Sequence, residues 1–284
     1  MRRFHVLFGV ALASCTCGGI AIAATPTKTV SLPAIVHLPT MRSVEGFGGG
    51  FRVRRATSAD LKGQSTYDDV PAWLVDIHGA MGWDSGVQSG PPSILISRSD
   101  RFRNRVALFG SDPAGWLVVP KGWHIQYASE GAQPGYGLGF VAPGGARNGW
   151  MVSWSTSGIG SILASGEGLF PNAKRRYLAF VNRPVGAGLI AVTFVQDPVR
   201  LSPTPTSLTH PNRCTALVTY RSDGLVVKGI ALWQPPMHPY SSDPYSTAMY
   251  IAMPANDTEM ETYIVKMFER TRFDGQQVCP TTGW

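Results

Sequence analysis

Charge is scarce in this sequence. Asp, Glu, Lys and Arg together make up 15% of its 284 residues, where soluble domains usually carry about a quarter. A 44% apolar share places the chain far from the disordered class. Low charge combined with 32 glycines and 22 prolines argues against a helical bundle and for many strands joined by tight turns.

Long apolar runs are missing beyond the first two dozen residues, so no later stretch has the roughly 20 apolar residues that a membrane-crossing helix needs. Reactive motifs are missing as well. There is no G-x-S-x-G elbow and no S-x-x-K. Neither H-E-x-x-H, an EF-hand loop nor a P-loop occurs. Gly48-Gly49-Gly50 is not followed by G-K-[ST] and reads as a joint rather than a phosphate cradle. His37, His78, His124, His210 and His238 stand far apart, and none has a second His or Cys at ligand spacing. No metal and no cofactor is expected.

What the N-terminus does contain is a secretory signal pattern. Arg2 and Arg3 supply its positive end, Val6 to Ala13 its apolar stretch, and Ala21-Ile22-Ala23 an A-x-A cleavage site. Gly18 and Gly19 interrupt the run, which separates it from a membrane anchor. The expected organisation is a signal peptide over 1–23 and one exported globular domain over 24–284. The Pro- and Ser/Thr-rich tract 198–211 is the one candidate subdomain break. A second reading stays open. Leu12-Ala13-Ser14-Cys15 has lipobox spacing, so Cys15 could be acylated, and only then would the protein be held at a membrane, as an outer-membrane lipoprotein. The main expectation is a periplasmic or secreted protein.

Losing Arg2 and Arg3 with the signal lowers the net charge from +7 to +5. The basic residues cluster only at Arg52 to Arg55, Arg98 to Arg105 and Lys174 to Arg176. That is too thin for a nucleic-acid stripe, and no nucleic-acid partner is expected. Oligomeric state is not readable. Two cysteines remain after cleavage, Cys214 and Cys279. In an oxidising compartment they are most simply one disulfide.

Strands are expected at Thr29 to Leu38, Phe51 to Arg55, Ile94 to Ile96, Trp116 to Val119, Trp123 to Tyr127, Tyr136 to Val141, Trp150 to Ser155, Tyr177 to Val181 and Leu189 to Val195. Thr215 to Tyr220 and Leu225 to Trp233 flank Ser222-Asp223-Gly224, a strong hairpin signal. Short helices are expected at Ser99 to Phe109, where Phe102, Val106 and Phe109 keep helical spacing, and at Gly158 to Gly166. Asn256 and Glu259 make a capping-box pattern before a C-terminal amphipathic helix carrying Met260, Ile264, Met267 and Phe268. The fold class is therefore α+β: mainly antiparallel β-sheet, a few short helices, and a C-terminal helix tied back by the Cys214–Cys279 disulfide.

Three stretches carry a family resemblance: Ser157 to Pro171 (SGIGSILASGEGLFP), the PVRLSP that follows Asp197, and Tyr250 to Phe268 (YIAMPANDTEMETYIVKMF). From Trp116 onward the chain resembles an uncharacterised family of exported bacterial proteins, domain of unknown function 4850. The resemblance implies an envelope protein of a Gram-negative bacterium. It supplies neither an activity nor functional residues.

Eight tryptophans follow the signal. Exposed Trp and Tyr can stack on sugar rings or anchor a protein partner. The turn Lys121-Gly122-Trp123-His124 and the loop Gln234 to Tyr245 are the candidate surfaces, with Trp123, His124, Tyr240 and Tyr245 as binding residues. The competing reading makes Trp116, Trp123, Trp150, Trp154 and Trp233 simple core residues. The leading expectation is a non-enzymatic envelope protein that binds another protein or a cell-wall component, with an immunity-type inhibitor as its specific form. The alternative is a secreted hydrolase drawing on Asp76, His78, His124 and Ser161. A structural envelope component is the third reading.

Overall fold

A computed structural model describes residues 27–35, 38, 50–61, 69–78, 84–85, 96–112, 114–130, 135–156, 162, 165–171, 173, 199–234 and 245–273. Among these residues the protein is mostly antiparallel β-sheet with one long C-terminal helix. The signal region with Cys15, the expected strands at 177–181 and 189–195, and Cys279 lie outside them.

Seven strands form the central sheet. They are β7 (His124–Glu130), β8 (Gly135–Val141), β9 (Trp150–Thr156), β11 (Ser207–Asn212), β12 (Thr215–Ser222), β13 (Leu225–Gln234) and β14 (Tyr245–Met253). Their order is β11-β12-β13-β14-β9-β8-β7, and every neighbouring pair is antiparallel. The second sheet holds β2 (Gly50–Arg55), β3 (Ala72–His78), β5 (Val106–Ser111) and β6 (Gly115–Pro120), with β4 (Asp84–Ser85) beside β3. Two pairings are parallel, β3 with β5 and β1 (Lys28–Ser31) with β10 (Val199–Ser202).

Side-chain alternation explains why the central sheet sits inside the molecule. On β14, Met249, Ile251 and Met253 join one core, while Ala248, Tyr250 and Ala252 join the other. β13 splits in the same way, Ile230 and Leu232 against Val227, Ala231 and Trp233. The first core is closed by the second sheet and by α1 (Thr258–Phe273), through Met260, Ile264, Val265, Met267 and Phe268. The second core is closed by Leu32, Ile162, Leu169, Phe170 and Ala173. A strand covered on both faces reads as a nearly continuous apolar run, as β13 does.

The expected hairpin is present. Ser222 pairs with Leu225 across Asp223 and Gly224, both at positive φ (51° and 83°). Two such residues in succession make the mirror-image turn whose twist suits a hairpin. Gly224→Ala forces a Cβ into that conformation. It is expected to cost about 1 kcal/mol, read as a lower urea midpoint with an unchanged slope.

Two expectations change, the helix at 99–109 and the extent of the first strand. Residues 99–109 are not a helix. A 3-10 turn at Arg103–Arg105 leads directly into β5, whose six residues are all buried between β3 and β6. Burial on both faces overrides the weak helical spacing. The buried Arg103 guanidinium fixes that turn by donating to Asp69 and to the Ile96 carbonyl (2.6 Å). The turn expected at Pro120-Lys121-Gly122 is present, with Lys121 and Gly122 carrying the chain from β6 in one sheet to β7 in another. The strand expected to reach Leu38 stops at Ser31. Pro33 has no N–H to donate, and the last ladder contact is Leu32 N–H to the Ser202 carbonyl (2.7 Å). The tract 198–211 holds β10 and most of β11, and its Leu201 and Leu208 pack on the second core.

At the C-terminal helix a 3-10 turn, Ala255–Asp257, precedes Thr258. Glu259 pairs outward with Arg101 (3.1 Å) rather than reaching back to a capping Asn256. Of the helix expected near 158–166, residues 162, 165 and 166 are described and all three are helical, with Ile162 fully buried; Ile96 is buried outside any strand.

Candidate functional site

β1 and the residues after it lie as a strap across the second face of the central sheet. Three contacts hold the strap down. Its backbone pairs in register with β10, from Lys28 with Val199 to Ser31 with Ser202. The Tyr220 hydroxyl donates to the Pro33 carbonyl. The Lys28 ammonium donates to Glu167 Oε2 at 2.5 Å.

Between strap and sheet lies a cleft of about 680 Å³. Its roof is Val30, Leu32, Pro33, Ala34 and Leu38. Its floor is Tyr127 from β7, Gly137 from β8, Val152 and Trp154 from β9, and Tyr250 from β14. Ser165, Glu167 and Leu169 form the end wall. Alternation builds this floor: 152 and 154 share one face of β9, and 137 lies on the same face of β8. A glycine at 137 leaves room for the Tyr127 ring, whose hydroxyl is bonded to Ser129.

The lining is apolar with one charged group. Glu167 has a 7% exposed side chain, and its charge is matched by Lys28 from the rim, which is 37% exposed. The Ser165 hydroxyl donates to the Ile162 carbonyl and is also hydrogen-bonded to the Ser246 hydroxyl, each at 2.7 Å. Burial pushes the Tyr250 hydroxyl well above the usual tyrosine range. Volume, apolar lining and a few placed polar groups are those of a ligand pocket.

A second, polar groove of about 540 Å³ runs between α1 and residues 100–102. Lys228 from β13 lies at its base, donating to the Thr258 carbonyl (2.9 Å) and to the Thr262 hydroxyl. Beneath it the Glu261 carboxylate is completely buried. Oε1 accepts the Met253 N–H (3.0 Å), while Oε2 is 4.0 Å from the Lys228 ammonium and has no hydrogen-bond partner. Desolvation raises its pKa from 4.5 to about 7, opposed by Lys228 and by the Met253 bond, with Asp257 adding to the rise.

Of the expected binding residues, Trp123 and His124 are described with their side chains. Trp123 is buried at 8% exposure in the first core, so its ring is not a stacking platform. His124 is exposed at the start of β7. Tyr245 opens β14, and neither its side chain nor Tyr240 is among the described residues. Of the hydrolase set, Asp76 and His124 stand on different sheets. Ser161 and the His78 side chain lie outside the described residues.

The core reading of the tryptophans holds for Trp116, Trp123, Trp150 and Trp233, all buried. Trp154 is the exception, half-buried on the cleft floor. Two of the basic clusters are engaged internally: Arg54 pairs with Asp60, Arg101 with Glu259, Arg103 with Asp69 and Arg105 with Asp257.

Glu167 and Glu261 were not singled out from sequence. Glu261 carried a visible signal, since it shares a helical stripe with Ile264, Val265 and Phe268. Glu167, among glycines, carried none. Among the described residues no three His, Cys, Asp or Glu side chains group as metal ligands, and no helix is long and apolar enough to cross a membrane.

Fold and cleft together define, among the described residues, a three-sheet β protein whose central sheet is covered on both faces, with an apolar pocket under one cover. No family model, no curated protein and no solved structure matches the chain.

Proposed function

We propose that this is an exported bacterial envelope protein that works by binding a protein partner or a cell-wall component. Its specific form is an immunity-type inhibitor acting in the periplasm. One observation carries the reading: a roofed apolar cleft presents Tyr127 and Trp154, while Asp76 and His124, two of the residues considered for hydrolysis, stand on different sheets. Aromatic side chains in such hollows commonly dominate binding energy. The recognition surface thereby moves from Trp123 to Trp154 and Tyr127. His124 is exposed at the start of β7.

On the same reading residues 1–23 are removed, and Cys214 pairs with Cys279 in the oxidising compartment. Burial of Cys214 at 4% exposure suits a structural bridge. Membership in the exported family that the sequence resembles belongs to this proposal too. Intact mass of the native protein tests the processing. The expected mass begins at Ala24, carries no lipid, and is lighter by two hydrogens than the reduced chain. A diacylated mass beginning at Cys15 selects the lipoprotein form.

Binding itself is tested with immobilised mature protein in periplasmic extract and in cell-wall digest. The expected result is one saturable partner whose retention falls about tenfold with Trp154→Ala, the size of a modest hot spot. No retained partner, together with turnover of an ester or cell-wall substrate, overturns the proposal in favour of a hydrolase.

A further inference from the structure

The cleft carries a statement about ligand chemistry that goes beyond binding in general. Its roof and floor are aliphatic and aromatic: Val30, Leu32 and Leu38 above, Val152 and Trp154 below. A volume of about 680 Å³ falls within the range of small-molecule pockets. One end is different. There Glu167 presents a carboxylate whose side chain is more than nine-tenths buried. Lys28 occupies Oε2. Oε1 has no hydrogen-bond partner among the described residues, and it is not sealed from solvent like Glu261 Oε2.

A carboxylate oxygen open to the cleft and without a protein partner is a free acceptor for a donor that enters there. The Lys28 ammonium already balances the charge, so the missing donor need not be a cation. An anionic group there would meet Glu167 at short range and be repelled. Ser165 directs its hydroxyl to the Ile162 carbonyl and Ser246, and so does not supply the donor.

We infer that the cleft takes a neutral single-chain amphiphile: an aliphatic chain lying between strap and sheet, with a hydroxyl or amide N–H donating to Glu167 Oε1. This inference rests on the binding reading above and names the chemistry of its pocket. The apolar lining selects the chain, and the half-occupied carboxylate selects the head.

Hexanol, octanol and decanol titrated into the mature protein by calorimetry test it, with the Trp154 indole signal followed by NMR. Affinity is expected to tighten about fourfold per added methylene, the value for complete transfer of a CH₂ out of water. Decanoate is expected to bind at least tenfold more weakly than decanol. Glu167→Gln should erase most of that difference, because the amide no longer repels an anion. Val152→Trp, which fills the floor, should abolish alcohol binding while circular dichroism stays native.

Flat chain-length dependence, decanoate binding as tightly as decanol, or alcohol binding that survives Val152→Trp each overturns the inference. Its failure is separable from failure of the binding reading. If alcohols do not bind but a partner is still retained in a Trp154-dependent way, the cleft binds something else. If neither occurs, the binding reading falls as well.

Discussion

Trp233→Ala is expected to be the most damaging single substitution described here, lowering stability by about 3–5 kcal/mol, the usual cost of emptying a buried Trp site. Trp233 is 1% exposed on β13. Its indole N–H donates to the Ile162 carbonyl at 2.7 Å, and its ring stacks on Phe170 with centroids 5.1 Å apart. Backbone comes equally close. A Cβ at Gly166 would lie 2.4 Å from the indole, so glycine is required there by contact. The ring therefore pins the described residues between 162 and 173 to the sheet by three separate means. That region supplies the end wall of the cleft.

Loss of Trp233 should act locally before it acts globally. In hydrogen exchange, amides of residues 165–171 should lose protection ahead of those in β13 and β14. Trp233→Phe keeps a ring against Phe170 but removes the indole N–H, leaving the Ile162 carbonyl with the Ser165 hydroxyl as its remaining donor. Its cost should be smaller, about 1 kcal/mol for the net loss of one hydrogen bond. Equal effects of the two variants would show that the indole N–H contributes nothing.

The second large effect is a pH dependence with an unusual sign. Glu261 titrates at about 7 when folded and at 4.5, its ordinary value, when unfolded. Between those values the folded state holds the extra proton, so stability falls as pH rises. Below pH 4.5 the group contributes nothing to the slope. Above 7 the penalty is constant and amounts to about 3 kcal/mol. The groups facing it are Lys228, the Met253 N–H and Asp257. Glu261→Gln keeps an acceptor for Met253 and removes the buried charge. The variant is expected to lose the decline that the native protein shows between pH 5 and 8 in guanidinium unfolding. A native curve that rises with pH over that range, or an unchanged slope in the variant, refutes the assignment.

The parts of this fold that were legible are those in which local signal and tertiary need agree. Asp223-Gly224 demanded a turn that only a hairpin uses, and β12 and β13 formed around it. Met260, Ile264, Met267 and Phe268 announced one apolar face, which now lies against the first core. The Ser99 to Phe109 region failed because three apolar residues at helical spacing also fit a strand buried on both sides, and nothing local distinguishes the two. The proline-rich tract concealed β10 and β11 because their partners, β1 and β12, lie elsewhere in the chain.

The cleft was the least legible feature. Its lining comes from the strap, three neighbouring strands, β7 and the end wall, and no one of these carries a motif. Trp123 and Trp154 look alike as residues near strand ends. Only the placement of β6 and β7 in different sheets buries the first, and only the strap leaves the second facing a hollow.

The joint between β9 and β14 bears on how the chain assembles. Thr156 pairs with Ser246 and Trp150 with Ala252, so the middle of the central sheet is made by segments that leave a ribosome far apart in time. Until β14 is synthesised, β7-β8-β9 ends in an open edge with apolar residues on both faces, a surface prone to pair with other chains. Closing so long a loop comes late and slowly. The last strand and the helix that follows it thus act as a keystone, and a chain cut short before residue 245 should accumulate as two sticky half-sheets rather than as a smaller version of the protein.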